Sequence, residues 1–169
     1  MRTLAILAFL WFNGVSPVTI NVSRNADPVV GVAVDMLQDD LEEVTGLTPR
    51  RTDAGGATVK IIQCDRDRTS LRRLGVPADI ADSLSFVKEA FYIGTRGRQI
   101  IIAGSDGRGT AYGALELSRL AGVSPWIWWG DSRPEKRASL ELPDGFSTFQ
   151  HPSVEYRGFF LNDEDWAFR

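Results

Sequence analysis

The chain has 169 residues, of which 43% are hydrophobic and 24% are charged, a normal balance for one globular domain. Its formal net charge of -3 argues against nucleic acid as a partner, because proteins that bind nucleic acid usually carry a basic patch. The single cysteine, Cys64, excludes an internal disulfide, and together with the single histidine, His151, it leaves too few soft ligands for a zinc site.

The N-terminus has two interpretations. Met1, Arg2 and Thr3 precede an apolar run at residues 4–12, which has the charge and length of a short secretory signal and is too short to span a bilayer. A signal peptide within residues 1–16 would make the protein secreted or periplasmic. Alternatively, the same run is the first buried strand of the fold. We expect no membrane partner, because no other segment resembles a transmembrane helix.

The next region predicts a strand at residues 18–22 and then an amphipathic helix. Asp27 is the expected N-cap, Pro28 the first helical residue and Gly46 the left-handed stop. The acidic residues of this helix are interpreted as its solvated face. The apolar residues that recur at helical spacing are Val29, Val30, Ala33, Leu37, Leu41 and Val44.

A second strand is predicted at residues 58–63, followed by an irregular stretch. Residues 65–85 mix arginines with acids and show no clear period, so we expect a surface insertion. Residues 91–95 and 99–103 are apolar and flank Arg96-Gly97-Arg98, which predicts a hairpin of two antiparallel strands.

A glycine-rich turn begins at Gly104, and a helix is predicted from near Arg108 to Gly122, with Ser105 or Asp106 as its cap. The turn lies between strand and helix, as in a dinucleotide site, but its glycine spacing differs from that fingerprint. We expect the glycines to allow close packing of the helix against the sheet, and nucleotide binding is a rival hypothesis.

Three tryptophans follow within four residues, at Trp126, Trp128 and Trp129. Such a cluster needs a large surface to cover it. One interpretation is a platform on which sugar rings stack. The other is a junction with a further domain.

The C-terminal region predicts a short strand at residues 138–142, a turn, a linker to Pro152 and a strand at residues 154–161. His151 lies alone in the linker, which argues against a hydrolytic triad. Asn162 and Asp163 begin an acidic cluster just after the last strand. Such a cluster is either a capping turn or, at the C-terminal end of a barrel strand, part of an active site.

The sequence resembles glycoside hydrolase family 115, the xylan α-1,2-glucuronidases. The resemblance covers nearly the whole chain from about Asn13 and rests on five ordered motifs. These motifs are Asp-Leu-Glu-Glu-Val-Thr-Gly at 40–46, Glu-Ala-Phe-Tyr-Ile at 89–93, Gly-Ser-Asp-x-Arg-Gly-Thr-x-Tyr-Gly at 104–113, Gly-Val-Ser-Pro-Trp-x-Trp-Trp-x-Asp at 122–131, and Pro-Ser-Val-x-Tyr-Arg-Gly-Phe-Phe-Leu-Asn-Asp-Glu-Asp-Trp at 152–166.

The resemblance implies an α/β (α+β) fold for residues 17–150, with a small mixed sheet backed by helices, as in the N-terminal domain of hexosaminidases. Residues 151–169 would be a linker and the first strand of a TIM barrel. The chain would then be an N-terminal fragment, without activity of its own and without a cofactor.

The family's barrel removes glucuronic acid or 4-O-methylglucuronic acid branches from xylan with inversion, which requires two carboxyl groups. These groups are expected on later barrel strands, so no catalytic residue is assigned to this chain. Asn162 and Asp163 are the candidate sugar contacts. The implied partners are the polysaccharide, bound through the whole enzyme, the chain's own barrel and a second copy in a homodimer. The rival hypothesis is a stand-alone carbohydrate-binding module that uses the tryptophan surface.

Overall fold

The computed structural model describes residues 8–65, 68–158 and 160. Within them the chain forms a mixed α/β fold of two sheets and five helices. The strands are β1 (Ala8–Phe12), β2 (Thr19–Val22), β3 (Arg50–Arg51), β4 (Val59–Gln63), β5 (Phe91–Arg96), β6 (Gln99–Gly104), β7 (Leu140–Pro143) and β8 (Ser147–Gln150). The helices are α1 (Pro28–Thr45), α2 (Arg68–Leu74), α3 (Ala78–Ser83), α4 (Gly107–Ala121) and α5 (Ile127–Gly130).

The main sheet has the strand order β3-β2-β4-β6-β5-β8. Strands β3, β2, β4 and β6 are parallel, whereas β5 is antiparallel to both β6 and β8. The second sheet is an antiparallel pair of β1 and β7, in which Phe9 lies opposite Leu142. The apolar run near the N-terminus therefore forms a strand from Ala8 to Phe12, and residues 1–7 lie outside the described part.

Two hydrophobic cores lie on opposite faces of the main sheet, because successive side chains of a strand point to opposite faces. Ile100 and Ile102 of β6 belong to the larger core, with the buried faces of α1 and α4. The alternate residues of the same strand, Ile101 and Ala103, belong to the smaller core beside α2 and α3. The sheet is thus covered by helices on both faces.

Helix α1 confirms the prediction at both ends. Pro28 is its first residue, and Gly46 follows its last residue with a φ of 73°. The buried residues also match, except that Val34 is buried and Val29 is exposed. Asp27 has the extended backbone of an N-cap, but its side chain accepts a hydrogen bond from Gln63 Nε2 at 2.8 Å and makes no cap bond.

The hairpin and the helix that follows the glycine-rich turn are also confirmed. Strands β5 and β6 pair through the turn at Gly97, whose φ is 58°. Helix α4 begins at Gly107, where Asp106 accepts a hydrogen bond from the Gly109 N–H at 2.8 Å, and it ends before Gly122. A Cβ on Gly109 would lie 2.2 Å from the Ala90 carbonyl oxygen, so this glycine allows the close helix-to-sheet packing that the sequence predicted.

Three predictions differ from the structure. The expected surface insertion at residues 65–85 contains helices α2 and α3, because Leu71, Val76 and Leu84 are buried in the smaller core. The predicted linker before Pro152 contains strand β8, which pairs with the edge of β5 and packs Phe149 against the same core. Of the predicted strand at 154–161, residues 154–158 have no regular secondary structure, and no described strand pairs with them.

Candidate functional site

The segment that follows β8 is held against the start of α4 by the side chain of Arg157. Its guanidinium hydrogen bonds the Glu89 carboxylate, donates to the Tyr112 hydroxyl at 3.1 Å and donates to the Val154 carbonyl at 2.6 Å. It also lies over the Tyr112 ring, 5.8 Å from the centroid, where a cation is attracted by the π face. We call Glu89, Arg108, Tyr112 and Arg157 the clamp.

Arg108 completes the clamp from the first turn of α4. Its Nη1 donates to Glu89 Oε1 at 2.9 Å, so the two oxygens of one carboxylate face two guanidinium groups. The same segment carries a second, looser ion pair between Lys88 and Glu155 at 3.8 Å. The Lys88–Glu155 separation is too long for a hydrogen bond, whereas the charged groups of the clamp are hydrogen-bonded, so the clamp is the firmer of the two attachments.

Glu89 is placed in the clamp by an unusual backbone conformation. Its φ is 56°, in the left-handed region that residues other than glycine rarely adopt. The Glu89 N–H donates to Asp106 Oδ2 at 2.7 Å, and the next N–H, that of Ala90, donates to Ser105 Oγ at 3.0 Å. The cap of α4 therefore also fixes the backbone that presents Glu89.

The clamp is electrostatically complementary. Hydrogen bonds from Arg157 and then from Arg108 hold the pKa of the Glu89 carboxyl below its usual range. The carboxylate in turn raises the pKa of both guanidinium groups. All three groups are therefore charged at neutral pH.

A groove of about 390 Å³ lies beside the clamp, between α1, α4 and the segment that contains α5. Its walls are largely apolar, and Trp128 forms part of the rim. The lining residues include Met36, Phe91, Tyr112, Leu115, Val123, Pro125, Ile127 and Trp128, with Asp40, Glu116, Ser118, Arg119 and Gln150 as polar members.

The two carboxyl groups that line the groove, Asp40 and Glu116, have pKa values shifted in opposite directions. Burial raises the pKa of Asp40, the neighbouring Ser118 hydroxyl opposes this shift, and the charges of Asp39 and Glu43 add to it. Glu116 is instead held by two hydrogen bonds of 2.7 Å from Arg119, which lower its pKa. Neither oxygen of Glu116 is without a donor.

The predicted tryptophan cluster reaches this groove through Trp128, which lines it. Trp126, Trp128 and Trp129 are 67%, 75% and 74% exposed, and they occupy or precede the short helix α5. Three large aromatic side chains so close together form an apolar surface of the kind that marks an interaction site. In the described part of the chain, these three side chains are mostly exposed to solvent.

The remaining residues singled out from the sequence are Asn162, Asp163 and His151. Asn162 and Asp163 lie outside the described residues. His151 is exposed, with Nδ1 3.0 Å from the Pro152 carbonyl oxygen, and its ring is 6.0 Å from that of Phe149. In the described part of the chain, no group of three or more His, Cys, Asp or Glu could hold a metal ion, and no helix is long and apolar enough to cross a bilayer.

Comparison with solved structures shows a similarity to a glycoside hydrolase. It is a family GH115 4-O-methyl-α-glucuronidase, BtGH115A, described as having specificity for decorated arabinogalactans. The match has 40% sequence identity and a TM-score of 0.79 and covers 89% of this chain. The chain is related to glycoside hydrolase family 115. It spans 19% of the length of that family 115 enzyme.

Two other solved structures are less similar to this chain. A GH138 enzyme targeting pectin rhamnogalacturonan II has 16% sequence identity and a TM-score of 0.48. The match covers 82% of this chain and 12% of the GH138 enzyme. CpGH84D has 17% sequence identity and a TM-score of 0.41, and the match covers 61% of this chain and 17% of CpGH84D. No protein-family model matches the sequence, and no curated protein matches it either.

The clamp is not recognisable as a site from the amino-acid sequence. Its members occur in three of the motifs that carry the family 115 resemblance, but Glu89 and Arg157 are 68 residues apart. No local spacing brings them together. The available signal was that all four residues lie within motifs that carry the family 115 resemblance.

Proposed function

We propose that this chain is the accessory α/β domain of an α-glucuronidase-type glycoside hydrolase, and that it scaffolds the catalytic barrel without cleaving sugars itself. The observation that carries the proposal is the 40% identical match, which covers 89% of this chain but 19% of the glucuronidase. About four fifths of that enzyme thus lies outside the matched domain.

The chemistry of the groove supports a non-catalytic role. An inverting glycosidase needs one protonated carboxyl and one free carboxylate on opposite sides of the glycosidic bond. Asp40 has a raised pKa, as an acid would, but both oxygens of Glu116 are engaged by Arg119. Among the described residues that line the groove, there is therefore no free carboxylate to activate water.

In this proposal residues 17–150, together with strand β1 that pairs with β7, form the accessory domain, and residues 151–169 lead into the first barrel strand. Asn162 and Asp163 would contact the sugar at the mouth of that strand. The substrate would be a plant polysaccharide with α-linked glucuronic or 4-O-methylglucuronic acid branches, either a xylan or a decorated arabinogalactan. Such an enzyme would act as a secreted or periplasmic protein, and it could form a homodimer.

The tryptophan surface has a place in this proposal as the junction with the barrel. Trp126, Trp128 and Trp129 are exposed in the described chain, and large aromatic side chains are enriched at buried interfaces. Packing of the barrel against them would remove this apolar surface from water.

The test is a titration of this chain with glucuronoxylan and with a decorated arabinogalactan, followed by tryptophan fluorescence. A scaffold domain gives no saturable change, because its tryptophans serve a protein junction. A saturable change that disappears in Trp128→Ala would instead support the stand-alone carbohydrate-binding module. Trp11→Phe, a change at a buried tryptophan far from the groove rim in sequence, is the control for nonspecific optical effects.

A further inference from the structure

The clamp fixes a short stretch of chain immediately before the predicted sugar contacts. Arg157 is five residues before Asn162, and an extended chain of that length reaches at most about 17 Å. If Arg157 is released, the nearest preceding residue that the structure describes in a helix or strand is Gln150, twelve residues before Asn162, from which an extended chain reaches at most about 40 Å. Release would therefore raise this covalent upper limit on the distance to Asn162 from about 17 Å to about 40 Å.

The geometry of the clamp is more specific than a surface ion pair requires. Exposed ion pairs usually contribute little, because they order two long side chains in water. Here the Glu89 side chain is only 17% exposed, and the Arg157 guanidinium has three hydrogen-bond acceptors and an aromatic face. The backbone of Glu89 is also held in the left-handed region, and strain of this kind concentrates at functional sites.

We propose that Glu89, with Tyr112, is a positioning residue that locks Arg157 and so fixes where the chain enters the sugar-binding part of the enzyme. The contacts of Arg157 are made by the accessory domain, whereas the residues being positioned, Asn162 and Asp163, would contact the substrate. The inference rests on the proposed function for its biological role, but the lock itself is a property of this chain.

Trypsin can report directly on the lock, because it cleaves after arginine only when the guanidinium can leave its partners and enter the protease. In the locked chain, the bond between Arg157 and Gly158 is expected to be cut at least about tenfold more slowly than the bond after Lys136. Lys136 is exposed and lies in a segment without regular secondary structure, so it serves as an internal reference. Mass spectrometry follows the two products separately.

Glu89→Gln removes the charge but preserves the shape, and it is expected to accelerate cleavage after Arg157 by about tenfold, because hydrogen bonds between charged groups are the stronger class. Tyr112→Phe should give a smaller acceleration, since the ring remains and only the hydroxyl is lost. Asp35→Asn is the matched control, because it breaks another surface ion pair, that with Arg51, and should leave both rates unchanged.

The melting temperature of each variant separates the lock from general unfolding. The lock is supported if Glu89→Gln accelerates cleavage after Arg157 alone, with the rate after Lys136 unchanged. It is overturned if the wild-type chain is cut equally fast after both residues, or if Glu89→Gln behaves like Asp35→Asn. These results do not depend on hydrolytic activity, so failure of the lock and failure of the proposed function are distinguishable.

Discussion

At the scale of single residues, two carboxyl groups show opposite effects of their surroundings. Glu89 gains two guanidinium partners on folding, whereas Asp40 loses water and lies near the charges of Asp39 and Glu43. The ionised form of Glu89 is therefore favoured in the folded protein, and that of Asp40 is disfavoured. Stability should consequently depend on pH with opposite sign at the two positions.

For Glu89, the folded pKa lies below the unfolded value, so its stabilising contribution is present above the unfolded value and is lost as the pH falls through the folded one. We expect Glu89→Gln to lower the melting temperature at pH 7, and we expect its difference from wild type to shrink below about pH 4. Thermal unfolding at several pH values measures this. A difference that stays constant with pH would contradict the assignment.

For Asp40, the folded pKa lies above the unfolded value, so a destabilising contribution appears as the pH rises through the unfolded value and is complete above the folded one. Asp40→Asn should therefore be more stable than wild type at pH 7 and equal to it at about pH 3. Asp144→Asn, at an exposed turn position that does not line the groove, is the control. Chemical denaturation at both pH values is the measurement, and a less stable Asp40→Asn at pH 7 would be the opposite result.

At the scale of elements, the sequence predicts best where the signals are local. Helix α1 has its proline start, apolar period and glycine stop within one segment, and the hairpin of β5 and β6 has its turn residues between two apolar runs. Strand β8 has no such signal, because Ser147 to Gln150 are of mixed character and form a strand only by pairing with β5. Tertiary context decides such segments.

The same distinction between local signals and tertiary context explains why helices α2 and α3 and the clamp were not predicted from the sequence. Leu71, Val76 and Leu84 are too widely spaced among arginines and acids to show a helical period, yet the second face of the sheet requires apolar cover. The clamp joins residues from separate motifs, and the tryptophan surface could be found from sequence because its members are adjacent. Short-range clusters are visible in a sequence, and long-range ones are not.

The packing of α4 against the sheet gives a prediction at this scale. Alanine normally stabilises a helix by about 1 kcal/mol relative to glycine, but a Cβ on Gly109 would collide with the Ala90 carbonyl oxygen. We expect Gly109→Ala to destabilise the fold by about 1–3 kcal/mol or more, because backbone must move to relieve the overlap. Gly56→Ala, where a Cβ meets nothing within 4 Å, should change stability by less than about 0.5 kcal/mol.

Denaturant unfolding of both glycine variants measures these effects. Stabilisation by Gly109→Ala would show that α4 can move away from β5 without cost. It would also weaken the view that the glycine-rich turn serves packing, and it would return attention to the rival hypothesis of a nucleotide site.

At the scale of the whole molecule, the clamp and the groove both involve helix α4 and have complementary roles in the proposed enzyme. The clamp holds the outgoing segment at the start of α4, and the groove with its tryptophan rim lies further along the same helix. In the proposed enzyme both features face the barrel. One fixes the path of the chain, and the other supplies apolar contact area.

This arrangement predicts how the tryptophans react with solvent. Hydroxyl-radical footprinting should oxidise Trp126, Trp128 and Trp129 rapidly in this chain, and at least about fivefold more slowly in a protein that joins the chain to a family 115 barrel, because burial excludes the radical. Trp11, which is 6% exposed, should react slowly in both. Equal oxidation of the three tryptophans in the two proteins would show that they do not form the junction.

The central claim is that this chain supports glycoside hydrolysis without performing it. The most direct measurement incubates the purified 169-residue chain with glucuronoxylan and with a decorated arabinogalactan, and quantifies released glucuronic and 4-O-methylglucuronic acid. The family 115 enzyme that matches this chain is the positive control on the arabinogalactan. We expect no release above that from the substrate alone, whereas catalytic release of either uronic acid by the chain would contradict the account.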